Sequence, residues 1–203
     1  MFFWLGVALF VDGIDGPMAR AIDIKNVLPN WSGDMLDSII DYATFCLIPA
    51  FALYQSGFLE EVYSFMAAAL IVITSAIYYA DTRMKTMDNF FKGFPVCWNM
   101  VIFTLFVLSP GWTIAFAVVA LSAALTFAPV LFVHPVRVRV WRSATLFAFA
   151  VWTVCGLIAL WYSWSWEGLN PIDAPFAVKV GIAVSALYLY FVGAVLQLSG
   201  RAS

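Results

Sequence analysis

Four carboxylates stand out against the rest of this chain: Asp12 and Asp15 in VDGIDGPMAR (residues 11–20), and Asp37 and Asp41 in SGDMLDSIIDYATF (residues 32–45). On helices, Asp12 and Asp15 are i,i+3 and Asp37 and Asp41 are i,i+4, so each pair shares a face. The surrounding residues belong in lipid, where one charged side chain costs about 2.5–3.5 kcal/mol on insertion scales. Four acids in such a setting need a compensating partner. Divalent metal is the natural one, because hard cations take oxygen ligands. If the two helices pack side by side, the four side chains converge on one pocket that could hold two Mg²⁺ or Mn²⁺ ions about 3.5–4 Å apart. Such ions commonly bridge to substrate phosphates.

Small residues and one arginine complete the pattern. Gly16, Ala19 and Gly33 lack bulk, so a charged ligand can approach the backbone closely. Arg20 has the planar fork suited to a phosphate. The glycines have a second reading, in which small residues only let membrane helices pack closely. That reading does not extend to the aspartates, since packing has no use for four negative charges. Asp23 reads as a loop residue, and Asp34 as an acid placed for the dipole at a helix start.

The elements that position these residues are membrane helices. Of the 203 residues, 64% are hydrophobic and 11% are charged, against roughly 25% charged in a soluble domain. The chain reads as all-α: one polytopic helical bundle over residues 1–203. A span needs about 20 apolar residues, which predicts helices near 33–56, 62–80, 94–109, 112–132, 143–163 and 175–198. That makes about six complete spans, plus a truncated one over 2–14 that runs on into the first motif. The breaks fall at Gly57, Pro110-Gly111, Pro135, and Asn170-Pro171 with Pro175. If residues 15–32 face the cytoplasm, nine of the ten basic residues lie inside, Lys179 being the exception. The aspartates then sit at the cytoplasmic face. Cys46, Cys97 and Cys155 are widely spaced in apolar runs and read as small buried hydrophobes. Acids lining an ion path would be distributed through the bilayer depth. These gather near one face, so a transporter is disfavoured.

Written out, the pattern is D-x2-D-G-x2-A-R, then twelve residues, then G-x3-D-x3-D. It resembles the signature of the CDP-alcohol phosphotransferases, with all eight defining positions present: Asp12, Asp15, Gly16, Ala19, Arg20, Gly33, Asp37 and Asp41. The twelve-residue gap is longer than is usual in that family. This gap, together with YYADTRMKTMDNFFKGFPVCWN (residues 78–99), is similar to the branch of bacterial phosphatidylcholine synthases. The resemblance covers most of residues 1–110.

What the resemblance implies is a metal-dependent condensation of CDP-diacylglycerol with choline in the bacterial inner membrane, giving phosphatidylcholine and CMP. Asp12, Asp15, Asp37 and Asp41 would ligate two Mn²⁺ or Mg²⁺ ions, with Asp41 also the base for the alcohol. Gly16, Ala19, Arg20 and Gly33 would accommodate the CDP part. A homodimer is expected by the same analogy, and no nucleic-acid partner. The same resemblance leads to the expectation of a further helix ahead of the first motif, so that the sequence as given reads as cut short at its start. The alternatives are therefore an inactive truncated form, or the same chemistry with inositol, serine or glycerol phosphate as acceptor. Choline is a quaternary ammonium, and aromatic faces bind such cations. Tyr78, Tyr79 and Trp98 are the candidates, with the polar segment 81–92 as a second functional candidate.

Overall fold

The computed structural model describes residues 1–81, 90–163 and 171–201, and only the backbone of residues 24 and 25. Residues 82–89 of the polar segment 81–92, with Arg83, Lys85 and Asp88, lie outside the described residues, as do residues 164–170.

Helix α1 (Phe2–Ala21) is followed by a single turn, α2 (Ile24–Val27). Helix α3 (Gly33–Asp41) passes without a break through a π-helical turn (Tyr42–Leu47) into α4 (Ile48–Gln55). Then come α5 (Glu61–Ala80), strand β1 (Phe90–Lys92), α6 (Trp98–Leu108), α7 (Trp112–Leu125), strand β2 (Leu131–Val133), α8 (Arg142–Tyr162) and α9 (Phe176–Leu198). Among the described residues, five segments are long and apolar enough to cross a membrane: α1, the continuous stretch Gly33–Gln55, α5, α8 and α9. The architecture is the expected helical membrane bundle.

Three bounds differ from the sequence reading, each for a local reason. Helix α1 does not stop at residue 14 but runs to Ala21 with Pro17 inside it. Pro17 forfeits one backbone bond and does not end the helix. Helix α6 starts at Trp98 rather than 94, because Pro95 precedes Val96, whose φ is +49°. Helix α7 ends at Leu125 rather than 132, ahead of Pro129. At 1.5 Å per residue α6 and α7 are roughly 17 and 21 Å long, so neither spans about 30 Å of hydrocarbon alone.

The residues after α7 form β2, which pairs antiparallel with β1 in the register Phe90↔Val133, Phe91↔Phe132 and Lys92↔Leu131. This ribbon was not foreseen in the sequence. It lies at the end of the bundle where α5, α7 and α9 finish and α3 begins.

The core runs through the middle of the bundle, with Leu53, Ile71, Phe94, Trp98, Ile102, Phe106 and Ile182 fully buried. Polar side chains tie helices together inside it: Trp98 Nε1 donates to Ser75 Oγ (2.9 Å) and Trp152 Nε1 to Thr104 Oγ1 (3.1 Å). Such bonds between helices are favoured where water is absent. The three cysteines are free, and Cys46 is wholly buried, as expected of small core residues.

Candidate active site

Two helices supply the acids, and the sequence dictates how each is held. Ser32 caps α3, its hydroxyl accepting from the Met35 amide (3.2 Å), and Asp34 lies in the first turn as a complement to the dipole. This fixes where α3 begins, and so where Asp37 and Asp41 point. The Ser32 cap was not read from the sequence, although a serine just before a helical run is a usable signal. Asp23 behaves as a loop residue: its φ is +51° and its carboxylate accepts from Asn26 Nδ2 (2.6 Å).

The π turn directly after Asp41 re-phases the helix. Buried positions below the acids fall at Cys46, Ala50 and Leu53, and Cys46 is five residues after Asp41. In a regular α-helix five residues overshoot a turn by about 140°, so Asp41 and Cys46 would face different ways. The wider turn absorbs one residue and lets the acidic stripe and the core stripe share one side. Thr44 helps the backbone bend there by donating to the Ile40 carbonyl (2.9 Å). Tyr42 anchors the same turn to α5 through its hydroxyl, which donates to the Val72 carbonyl (3.1 Å). Single-turn π insertions occur often at functional sites.

The outcome is a cluster. Ligand oxygens of Asp12, Asp37 and Asp41 all lie within 4.8 Å of one another, with Asp12 and Asp41 half-buried and Asp37 exposed. Asp12 and Asp41 are close enough to share a hydrogen bond. Asp15 stands outside this trio, exposed one turn further along α1, although its charge still bears on Asp41. The structure thus brings together three of the four expected acids. Two like unit charges 4 Å apart repel by about 4 kcal/mol at a near-surface dielectric, less where solvent screens them. A divalent cation reverses the sign of that interaction. The donor set fits Mg²⁺ or Mn²⁺: only carboxylate oxygens, from two separate helices, within bridging reach of one centre.

The small residues border this cluster without being required by packing. A Cβ at Gly33 would meet nothing within 4 Å. At Gly16 it would meet the guanidinium of Arg20, 3.3 Å away, which folds back along α1 toward the acids. Ala19 is half-buried. Among the described residues no neighbouring helix presses on either glycine, which leaves the tight-packing reading without support there.

The aromatic candidates separate. Tyr79 is half-buried and close enough to Asp41 to feel its charge. Its ring meets Tyr42 edge-on at 6.1 Å and Tyr78 at 6.2 Å. The Tyr78 hydroxyl is buried and has no hydrogen-bond partner among the described residues. Trp98 is different: it is fully buried, bonded to Ser75 and packed edge-on against Phe94 at 4.9 Å. With no exposed face, Trp98 is a core residue that holds α6 against α5, which corrects its selection as a choline contact. Tyr42, the residue after Asp41, belongs to this aromatic group instead.

Comparison with curated proteins gives relatives along nearly the whole chain. It is 59% identical over 198 residues to phosphatidylcholine synthase of Brucella melitensis, covering 98% of this chain and 69% of that protein. It is 55% identical over 198 residues to phosphatidylcholine synthase of Rhizobium meliloti (98% and 79%). It is 37% identical over 199 residues to phosphatidylcholine synthase of Pseudomonas aeruginosa (98% and 79%). No family model matches the chain, and no solved structure resembles it significantly.

Proposed function

The chain belongs to the phosphatidylcholine synthase family, a branch of the CDP-alcohol phosphotransferases, and we propose that its acidic cluster is the centre of that family's reaction. The protein is a multi-pass membrane enzyme that condenses CDP-diacylglycerol with choline, giving phosphatidylcholine and CMP. The observation that carries the site assignment is the convergence of Asp12, Asp37 and Asp41 from two helices to within 4.8 Å.

In this reading Asp12, Asp37 and Asp41 hold Mn²⁺ or Mg²⁺, with Asp15 available to a second ion. Bound there, the metal offsets charge on the pyrophosphate and makes CMP a better leaving group. Asp41 accepts the proton of the choline hydroxyl. The choline oxygen bonds to the phosphorus that carries diacylglycerol, the bond from that phosphorus to the CMP oxygen breaks, and CMP leaves with the electron pair. Arg20 pairs with phosphate oxygens of the donor, and the open backbone at Gly16, Ala19 and Gly33 admits its CDP part. Tyr79, with Tyr42 and Tyr78 behind it, offers ring faces to the trimethylammonium group close to Asp41. The Tyr78 hydroxyl, without a partner among the described residues, can bond a substrate oxygen, which would remove the cost of leaving it buried alone. The distribution of basic residues supports an acidic end facing the cytoplasm of a bacterial inner membrane. A homodimer is the family's expectation, tested by the mass of the detergent-purified protein.

Choline-dependent CMP release from CDP-diacylglycerol tests the reading, measured on the full chain in detergent with Mn²⁺ or Mg²⁺ and again with chelator. The expected result is release that requires both choline and the ion, and that is lost in Asp12→Asn and Asp37→Asn. Release indifferent to choline, or undiminished in either variant, would overturn the assignment.

A further inference from the structure

A second charged region lies at the same end of the bundle and has no part in the reaction described above. Lys92, Arg137, Arg139, Arg142 and Arg201 are all exposed. The sequence carries no Asp or Glu between residues 90 and 163, nor from 174 onward. The elements bearing these five cations therefore contain no acid of their own. The stretch V-R-V-R-V (residues 136–140) alternates. Val138 is 2% exposed and packs with Phe90, Val133, Val192 and Leu196, with Val140 against them, while Arg137 and Arg139 stay on the solvent side.

The backbone beneath is fixed rather than loose. Gln197 of α9 donates through Nε2 to the Pro129 carbonyl (2.9 Å), and its Oε1 accepts from the Leu131 amide (3.0 Å). His134 stacks on Phe91 (centroids 5.6 Å, interplanar angle 17°), and its Nδ1 accepts from the amides of Val136 and Arg137 (3.2 and 3.3 Å). Arg142 opens α8, where the helix dipole disfavours a cation. Arg201 lies 5.8 Å over the ring of Trp141, itself 43% exposed. A tryptophan beside arginines at the end of membrane helices is placed at headgroup depth.

We propose that the β1–β2 ribbon, residues 136–142 and the end of α9 form a docking surface for anionic phospholipid headgroups of the leaflet they face. The positive-inside tendency accounts for the sign of the charge. It does not require the cations to lie on and beside a packed, hydrogen-bonded ribbon, next to an interfacial tryptophan. Headgroup phosphates complement the fork geometry of arginine, and the surface holds the acidic end of the bundle against a leaflet rich in such lipids.

The test compares binding of fluorescent phosphatidylglycerol and fluorescent phosphatidylcholine, in neutral detergent micelles, to the full chain and to the triple variant Arg137→Gln/Arg139→Gln/Arg142→Gln. Each basic residue near an anionic surface contributes roughly a fivefold factor, so the variant should lose on the order of a hundredfold in phosphatidylglycerol affinity. Its phosphatidylcholine binding and its choline-dependent CMP release in neutral micelles should be unchanged, which also shows that it folds. Added salt should weaken the wild-type preference. Lys179→Gln, at the other end of the bundle beside Asp173, should bind like wild type. Equal phosphatidylglycerol affinity in the triple variant would overturn the proposal, and so would an equal loss in Lys179→Gln. Competition by inorganic phosphate as effective as that by the lipid would reassign the surface to free anions and overturn it too.

Discussion

The acidic end of α1 and α3 and the α8–α9 pair are built in opposite ways. Helix α1 buries a single residue, Leu5, and α3 buries none. Helix α9 buries Val178, Ile182, Ser185, Val192, Gly193 and Leu196, and packs along α8 so closely that a Cβ at Gly181 would come within 2.6 Å of Cys155 Sγ. The reactive carboxylates thus rest on the least buried helices. A few backbone fixtures aim them: the Ser32 cap, the π turn and the Tyr42 bond to α5. The lesson is a separation of duties. Changes in the first region should alter activity with little loss of stability, and changes in the second should do the reverse.

The largest expected effect comes from shifting the phase that the π turn sets. An alanine inserted after Thr44 adds a residue beyond the one the turn absorbs, which rotates Asp37 and Asp41 by about 100° relative to the core stripe below. Choline-dependent CMP release should vanish while helical circular dichroism is retained, and deleting Ala43 from the same variant should restore activity by removing the extra residue. Retained activity in the insertion variant would show that the turn has no part in aiming the acids.

Next in size is Asp41→Asn. Loss of a positioned base lowers turnover by roughly 10²–10⁴-fold, and removing one charge from a crowded cluster should leave the thermal midpoint unchanged or raised. Donor binding, measured by CDP-diacylglycerol titration, should persist. A lowered midpoint would mean that the acidic end contributes to stability after all, and the contrast between the two regions would fail.

Trp98→Ala probes the other side of the contrast. Removing a fully buried tryptophan costs about 3–5 kcal/mol, read as a lower unfolding midpoint in detergent. The milder Trp98→Phe forfeits the bond to Ser75 and should leave the KM for choline unchanged. A raised KM for choline in Trp98→Phe would return this ring to the substrate pocket.

The sequence made some of this legible and not the rest, for physical reasons. The acid pairs are local patterns of period three and four, and charge in an apolar run needs a partner, so Asp12, Asp37 and Asp41 were readable at once. The separate standing of Asp15 was not, because shared spacing cannot say which of two acids on one helix face reaches the neighbouring helix. The apolar runs announced the long helices, but proline positions rather than hydropathy set the ends of α6 and α7. The ribbon was hidden because its strands are three residues each and lie about forty residues apart. Trp98 was misjudged because an aromatic near the end of a predicted span looks the same whether it faces a cavity or the core. Its partner Ser75 lies on a different helix.

The smallest effects give the sharpest form of the contrast, because one chemical change can be made in both regions. At Gly193 a Cβ would strike the backbone of Leu131 and Phe132 where the ribbon crosses α9. Neither can yield, since Gln197 and the pairing with β1 pin that strand, so Gly193→Ala should cost about 1–3 kcal/mol, as overpacking does. At Gly33 the added methyl enters open space on the first residue of α3. There the loss of unfolded-chain entropy should dominate and Gly33→Ala should stabilise by about 0.4–1 kcal/mol. If that open space is where the donor's CDP part lies, the same variant should raise the KM for CDP-diacylglycerol while leaving the KM for choline alone. A Gly33→Ala enzyme with unaltered KM for the donor would leave the metal-binding acids in place and remove Gly33 from the donor site.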